Sequence, residues 1–153
     1  MKKYLSIIII CFFAVFPAFT QTAMEVENLL GTNAVSYQQA AWLVLEAADL
    51  SAEAGITSQV EAFRYAMEQG WLPAGAAPGD RARLDEVSLI IMQSFGIRGG
   101  VFYTLTGNRR YAYRELVYRN IIQGRSSPAM AVSGDSLLFV VNRVLSFQEA
   151  NQL

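Results

Sequence analysis

The chain has 153 residues, 53% of them hydrophobic, with 12 basic and 13 acidic side chains, one cysteine and no histidine. A lone cysteine excludes an internal disulfide framework. Without histidine, Ser–His and Cys–His nucleophilic pairs are excluded, as are zinc sites built on those ligands.

The first residues read MKKYLSIIIICFFAVFPAFTQTA. Lys2 and Lys3 precede an apolar run from Leu5 to Phe19 broken only by Ser6 and Pro17, and the small or polar Ala18, Thr20, Thr22 and Ala23 follow. This is the pattern of a cleaved secretory signal peptide over residues 1–23, with a run too short for a membrane anchor. Cys11 lies inside that run after Ile10, which is not a lipidation setting. Export to the periplasm or outer surface is expected. The mature chain of about 130 residues is then one domain (24–153) with no lysine, no cysteine and no further span. Its ten arginines face thirteen acids, a net charge of −3.

Glu25 to Leu30, closed by Gly31, reads as a shortened helix. Ser36 opens SYQQAAWLVLEAADL, with Ala41, Val44, Leu45 and Ala48 on one stripe and capping-box spacing between Ser36 and Gln39. Ser58 and Glu61 repeat that spacing before a helix that Gly70 ends; Trp71-Leu72 should turn back into the core, and the loop PAGAAPGD follows at 73–80. Leu84 begins LDEVSLIIMQSFG, with Val87, Ile90, Ile91 and Phe95 on one stripe and Gly96 as terminator. A helix over Arg109 to Asn120 follows, with Tyr113, Leu116 and Val117 assigned to the core. Ile121-Ile122 and the loop QGRSSPAM at 123–130 succeed it. Ser133 then caps a helix carrying Leu137, Leu138, Val141, Val144 and Leu145.

Two helix types thus recur at about 48 to 50 residues, and EAFRYAMEQGWL at 61–72 lines up with YAYRELVYRNII at 111–122 through Ala62-Phe63-Arg64 and Ala112-Tyr113-Arg114. The expected fold is all-α: three helix–loop–helix units, about 24–50, 57–97 and 108–147, each covering its neighbours' apolar stripes. Over roughly residues 25 to 147 the chain resembles the surface-layer homology (SLH) family. The likeness rests on the spacing, on the openings Val35-Ser36 and Val132-Ser133, and on Gly70-Trp71 before a Pro/Gly loop. It implies a pseudo-threefold helical prism that binds an anionic wall glycan between units. The family's marker Thr-Arg-Ala-Glu, whose arginine meets the ligand, corresponds to Ser36-Tyr37-Gln38-Gln39, Leu84-Asp85-Glu86-Val87 and Ser133-Gly134-Asp135-Ser136, none with an arginine.

Charge is unevenly spread. Met24 to Glu68 carries seven acids and one arginine, whereas Arg98 to Arg125 carries six arginines and one acid, Glu115. Arg110, Arg114 and Tyr118 step by four along one helical face beside Tyr111, and Arg98, Tyr103 and Arg109 lie in the same segment. Arginine forks suit carboxylate or phosphate, and tyrosine faces suit sugar rings. These seven residues are the candidate ligand-binding set, with Gly99-Gly100 allowing close backbone approach. A structural alternative has the segment docking on the acidic N-terminal half, with Glu115 and Arg119 as an i,i+4 pair. Asp85 and Glu86 diverge by about 100° on a helix and read as first-turn acids favoured by the helix dipole; no nucleophile–base pair, calcium loop or phosphate cradle is present. The expectation is therefore a non-catalytic envelope protein, without cofactor or metal, binding an anionic envelope polysaccharide and no nucleic acid. The alternative is a protein–protein module of a periplasmic or outer-membrane assembly.

Overall fold

The computed structural model describes residues 26–151; the expected signal peptide, with Lys2, Lys3 and Cys11, and Glu25 lie outside the described residues. The described residues are mostly helical and contain no strand, so the chain is all-α. No helix among them is long and apolar enough to cross a membrane. A short helix α1 covers 26–30. There follow α2 (Tyr37–Ala47), α3 (Leu50–Ala54), α4 (Gln59–Glu68), α5 (Leu84–Ser94), α6 (Val101–Thr106), α7 (Arg109–Tyr118) and α8 (Gly134–Asn151).

The local signals act as the sequence suggests. Ser36 and Gln39 form a reciprocal capping box at the start of α2. Ser58 accepts from the Glu61 N–H, but the Glu61 carboxylate turns one residue further back, to the N–H and hydroxyl of Thr57 (both 2.8 Å). Those bonds hold the Glu61 carboxyl below its usual pKa. Asn120 takes the left-handed conformation (φ 57°) where α4's counterpart is Gly70 (φ 72°).

Packing pairs each short helix with the long helix before it: α4 lies on α2, and α7 on α5. The helix–loop–helix units of the sequence group each short helix with the long helix after it; loops 73–80 and 123–130 instead carry the chain away to the next pair. The loops have a capping task. The Tyr37 and Gln38 N–H groups at the start of α2 donate to Asp80 and Pro78, and those of Leu84 and Asp85 at the start of α5 donate to Met130 and Pro128. Gly134, opening α8, donates to Thr32. Helix N-termini leave such donors unpaired, so each long helix depends on the loop leading into another.

Three buried residues at the centre close a ring. Val35 N–H donates to Val132 (2.8 Å), Val132 N–H to Ala82 (3.1 Å), and Ala82 N–H to Val35 (2.9 Å). Each N–H and C=O of the three is thereby paired away from water. This ring equates Ser36 with Arg83 and Ser133, so the middle helix opens one residue earlier than a frame starting at Leu84. Close approach also ties α1 to the start of α8: a Cβ on Gly134 would lie 1.7 Å from the Leu29 carbonyl oxygen.

The core runs through all three long helices. Val44, Leu45, Val87, Ile90, Ile91, Leu137 and Val144 are buried, and α5 is buried on nearly every side. Some expected core positions are not fully buried; Tyr113 and Leu138 are half-buried against the core. Leu145 and Val117 are 38% exposed, Ala48 is half-buried at the C-cap of α2, and Phe95 is half-buried. Val140 and Ala112 take burial in place of Leu145 and Val117 because neighbouring helices cover a face rotated by one residue.

Candidate functional site

The first turn of α5 concentrates charge. Arg83 is its N-cap, with extended backbone, and the Glu86 carboxylate reaches back to the Arg83 N–H (3.2 Å). Asp85 and Glu86 are 4% and 2% exposed. Buried carboxylates need partners, and three side chains supply them. Tyr37 donates its hydroxyl to Glu86 Oε2 (2.6 Å), Arg109 Nη1 donates to Glu86 Oε1 (2.7 Å), and Arg109 Nε lies 3.4 Å from Asp85 Oδ2. Arg83 Nη2 reaches Asp85 Oδ2 at 3.3 Å. Arg109 thus spans the two divergent carboxylates, fixing both.

The pairing is incomplete. Asp85 Oδ1 and Arg83 Nε are buried and have no hydrogen-bond partner. Both residues line a cavity of about 350 Å³ whose other walls include Asn108, Arg109, Arg110, Pro128 and Ala129. The Asn108 side chain accepts from the Arg110 N–H (2.8 Å), which positions the start of α7 at the cavity edge. The two residues that carry the orphan acceptor and the orphan donor, and the exposed Arg110, therefore line one polar recess.

Burial, and then the hydrogen bond to Glu86, push the Tyr37 hydroxyl far above its ordinary pKa; burial also raises that of Tyr103, against the bond it accepts from Gln93. A raised folded-state value stabilises fully below the unfolded value near 10 and is lost as pH climbs through the folded one. The urea midpoint is therefore expected to fall between about pH 10 and pH 12, and Tyr37→Phe to flatten part of that fall. A midpoint independent of pH over this window would contradict the burial of both phenols.

The seven sequence candidates divide. Arg109 and Arg110 belong to the recess on α5. Tyr111, Arg114 and Tyr118 line a separate cleft of about 190 Å³ against α6, with Gly100, Val101, Phe102 and Glu115. Phe102 stacks on Tyr111 (5.6 Å, 16°), and the Arg114 guanidinium lies 5.9 Å from the Tyr111 ring centre. Tyr103 is buried, so it belongs to the core rather than to a ligand surface. Arg98 is exposed, and its carbonyl accepts from Arg119. Gly99 and Gly100 serve internal packing: a Cβ on Gly99 would strike the Tyr103 ring, and the Gly100 N–H donates to Glu115 (2.8 Å). Glu115 and Arg119 do pair, at 3.8 Å. Among the described residues the basic segment makes its ion pairs with the acids of α5, through Arg109, and with Glu115, and none with the acidic N-terminal half.

Sequence reasoning missed Tyr37, Arg83, Asn108 and Phe102 as members of these sites, and treated Asp85 and Glu86 as dipole partners alone. The capping-box spacing Arg83–Glu86 was the available signal, since it matches Ser36–Gln39 once the helix is opened at residue 83. No protein family, curated protein or solved structure matches the chain.

Proposed function

We propose that the chain is a non-catalytic, exported envelope module of SLH-like build, three units about a pseudo-threefold axis, which binds an anionic envelope glycan in the recess at the start of α5. The cyclic bonding of Val35, Ala82 and Val132 supports the three-unit reading, as does the capping of α2, α5 and α8 by loop carbonyls at Asp80, Met130 and Thr32.

One observation carries the ligand: Asp85 Oδ1 and Arg83 Nε are both buried and unpaired, and both residues line the same cavity. A sugar hydroxyl donates and accepts at once, which suits both atoms. Arg110, which makes no ion pair among the described residues, can meet a carboxylate or phosphate on that sugar bidentately. Arg83 and Arg109 are pinned by the buried acids, so little side-chain freedom remains to be lost on binding.

Retention of the protein on purified envelope glycan tests this. Arg110→Ala is expected to abolish retention, Arg114→Ala to leave it, and rising salt to weaken it. Undiminished retention of Arg110→Ala refutes the site. A second reading, a protein-binding module, is favoured by the groove of about 400 Å³ between residues 122–132 and α8, where Phe139 and Met130 are exposed. Recovery of a defined protein by crosslinking, with no effect of glycan, would select it.

A further inference from the structure

Helices α3 and α6 hold matching places in the two long–short pairs. Each follows a long helix and ends on a left-handed glycine, Gly55 (φ 66°) or Gly107 (φ 57°). Each buries the residue four before that glycine, Ser51 or Tyr103, whose carbonyl accepts the glycine N–H. Their outer faces differ sharply. α3 presents Ala52, Glu53 and Ala54 to solvent. α6 presents Val101, Phe102 and Leu105, 71%, 66% and 77% exposed, with Tyr118 of α7 beside them at 84%.

The fold does not require that apolar surface, because α3 fills the same role with small and charged residues. Val101, Phe102 and Leu105 fall within an arc of about 100° on the helix, away from buried Tyr103. Val101 and Phe102 form the rim of the shallow cleft against Tyr111, and with Leu105 they leave most of their surface in solvent. A partner must therefore flow around them.

Charge narrows the partner. Arg114 lines the cleft beside Val101 and Phe102, and Arg98 is exposed three residues before Val101. The nearby carboxylate of Glu115 is already engaged by the Gly100 N–H and Arg119. A second copy of the chain would set the same arginines against each other, whereas an anionic surface would be attracted.

We propose that α6 is an interfacial insert that seats the protein on an anionic phospholipid surface. Val101, Phe102 and Leu105 enter the boundary between headgroups and acyl chains, Tyr118 lies at headgroup depth, and Arg98 and Arg114 meet the phosphates. This surface is separate from the glycan recess and stands without it.

The experiment uses the full chain with Leu105→Trp or, on α3, Ala52→Trp, and phosphatidylglycerol vesicles bearing brominated acyl chains. The apolar run Leu5–Phe19 is common to both proteins, so it cancels in the comparison. Tryptophan at 105 should be quenched about twofold or more beyond tryptophan at 52, and adding Arg98→Ala with Arg114→Ala should remove most of the difference. Circular dichroism of each variant confirms that it is folded. Three results overturn the proposal: equal quenching at 105 and 52, equal quenching at 105 by neutral phosphatidylcholine vesicles, or a blue shift at 105 that follows protein concentration without vesicles and so reports a second copy.

Discussion

Replacing Glu86 with alanine is expected to lower unfolding free energy by about 3 kcal/mol, the lower end of the range for breaking a buried ion pair. The change strips acceptors from the Tyr37 hydroxyl, the Arg83 N–H and Arg109 Nη1 together. Tyr37 is 5% exposed, so its hydroxyl has poor access to replacement water. Arg109 is 39% exposed on its side chain, and water can rehydrate the guanidinium, which keeps the loss from reaching the top of the range. Urea unfolding at neutral pH measures it as a shift in midpoint at unchanged slope. A loss under about 1 kcal/mol would mean that the cluster is wet, and the orphan atoms of Asp85 and Arg83 would lose their significance. The double variant with Arg109→Met should cost less than the two single changes summed, because it leaves fewer unpaired charges.

Leu116→Ala is expected to cost about 2–5 kcal/mol, as for other fully buried leucines. The internal counterpart of Leu116 is Ala66: the Trp71 N–H donates to Ala66 and the Ile121 N–H to Leu116. Small Ala66 is matched with large Trp71, which packs edge-on to Tyr65, while large Leu116 is matched with smaller Ile121. The two pairs thus combine small with large and large with medium, the pattern expected if volume is conserved between them. Adding Ile121→Trp to Leu116→Ala should recover part of the loss, which thermal unfolding of the single and double variants would register. A double variant less stable than Leu116→Ala would show that the two pairs are not packed alike.

Where local chemistry decides conformation, the chain was legible. Ser36–Gln39, Gly70, Gly96 and Asn120 each perform the terminating or capping role their side chains suggest. Stripes were legible to within one residue, and the misplacements at Val117 and Leu145 arise because periodicity fixes a face but not which neighbour covers its edge. The central ring was illegible, since backbone hydrogen bonds among Val35, Ala82 and Val132 leave no mark on side-chain pattern. The site was half legible. Arginine density marked the right segment, yet nothing local distinguishes Arg109, drawn inward by two buried acids 23 and 24 residues earlier, from Arg110, left facing the recess. α6 hid for another reason: the sequence pattern predicts no helix at 101–106 and puts Tyr103 on a ligand surface, whereas the fold buries Tyr103 and turns Val101, Phe102 and Leu105 outward.

Ring closure also has a kinetic consequence. Val35, near the start of the described chain, finds its hydrogen-bond acceptor at Val132, and Thr32 caps a helix that begins at Gly134. A polypeptide delivered amino end first therefore emerges with its opening residues waiting for a segment about a hundred positions behind. The rate of assembly is set by that long encounter rather than by helix growth, which is faster by orders of magnitude. Until the last helix arrives, the earlier helix pairs keep bare the apolar flank that α8 covers.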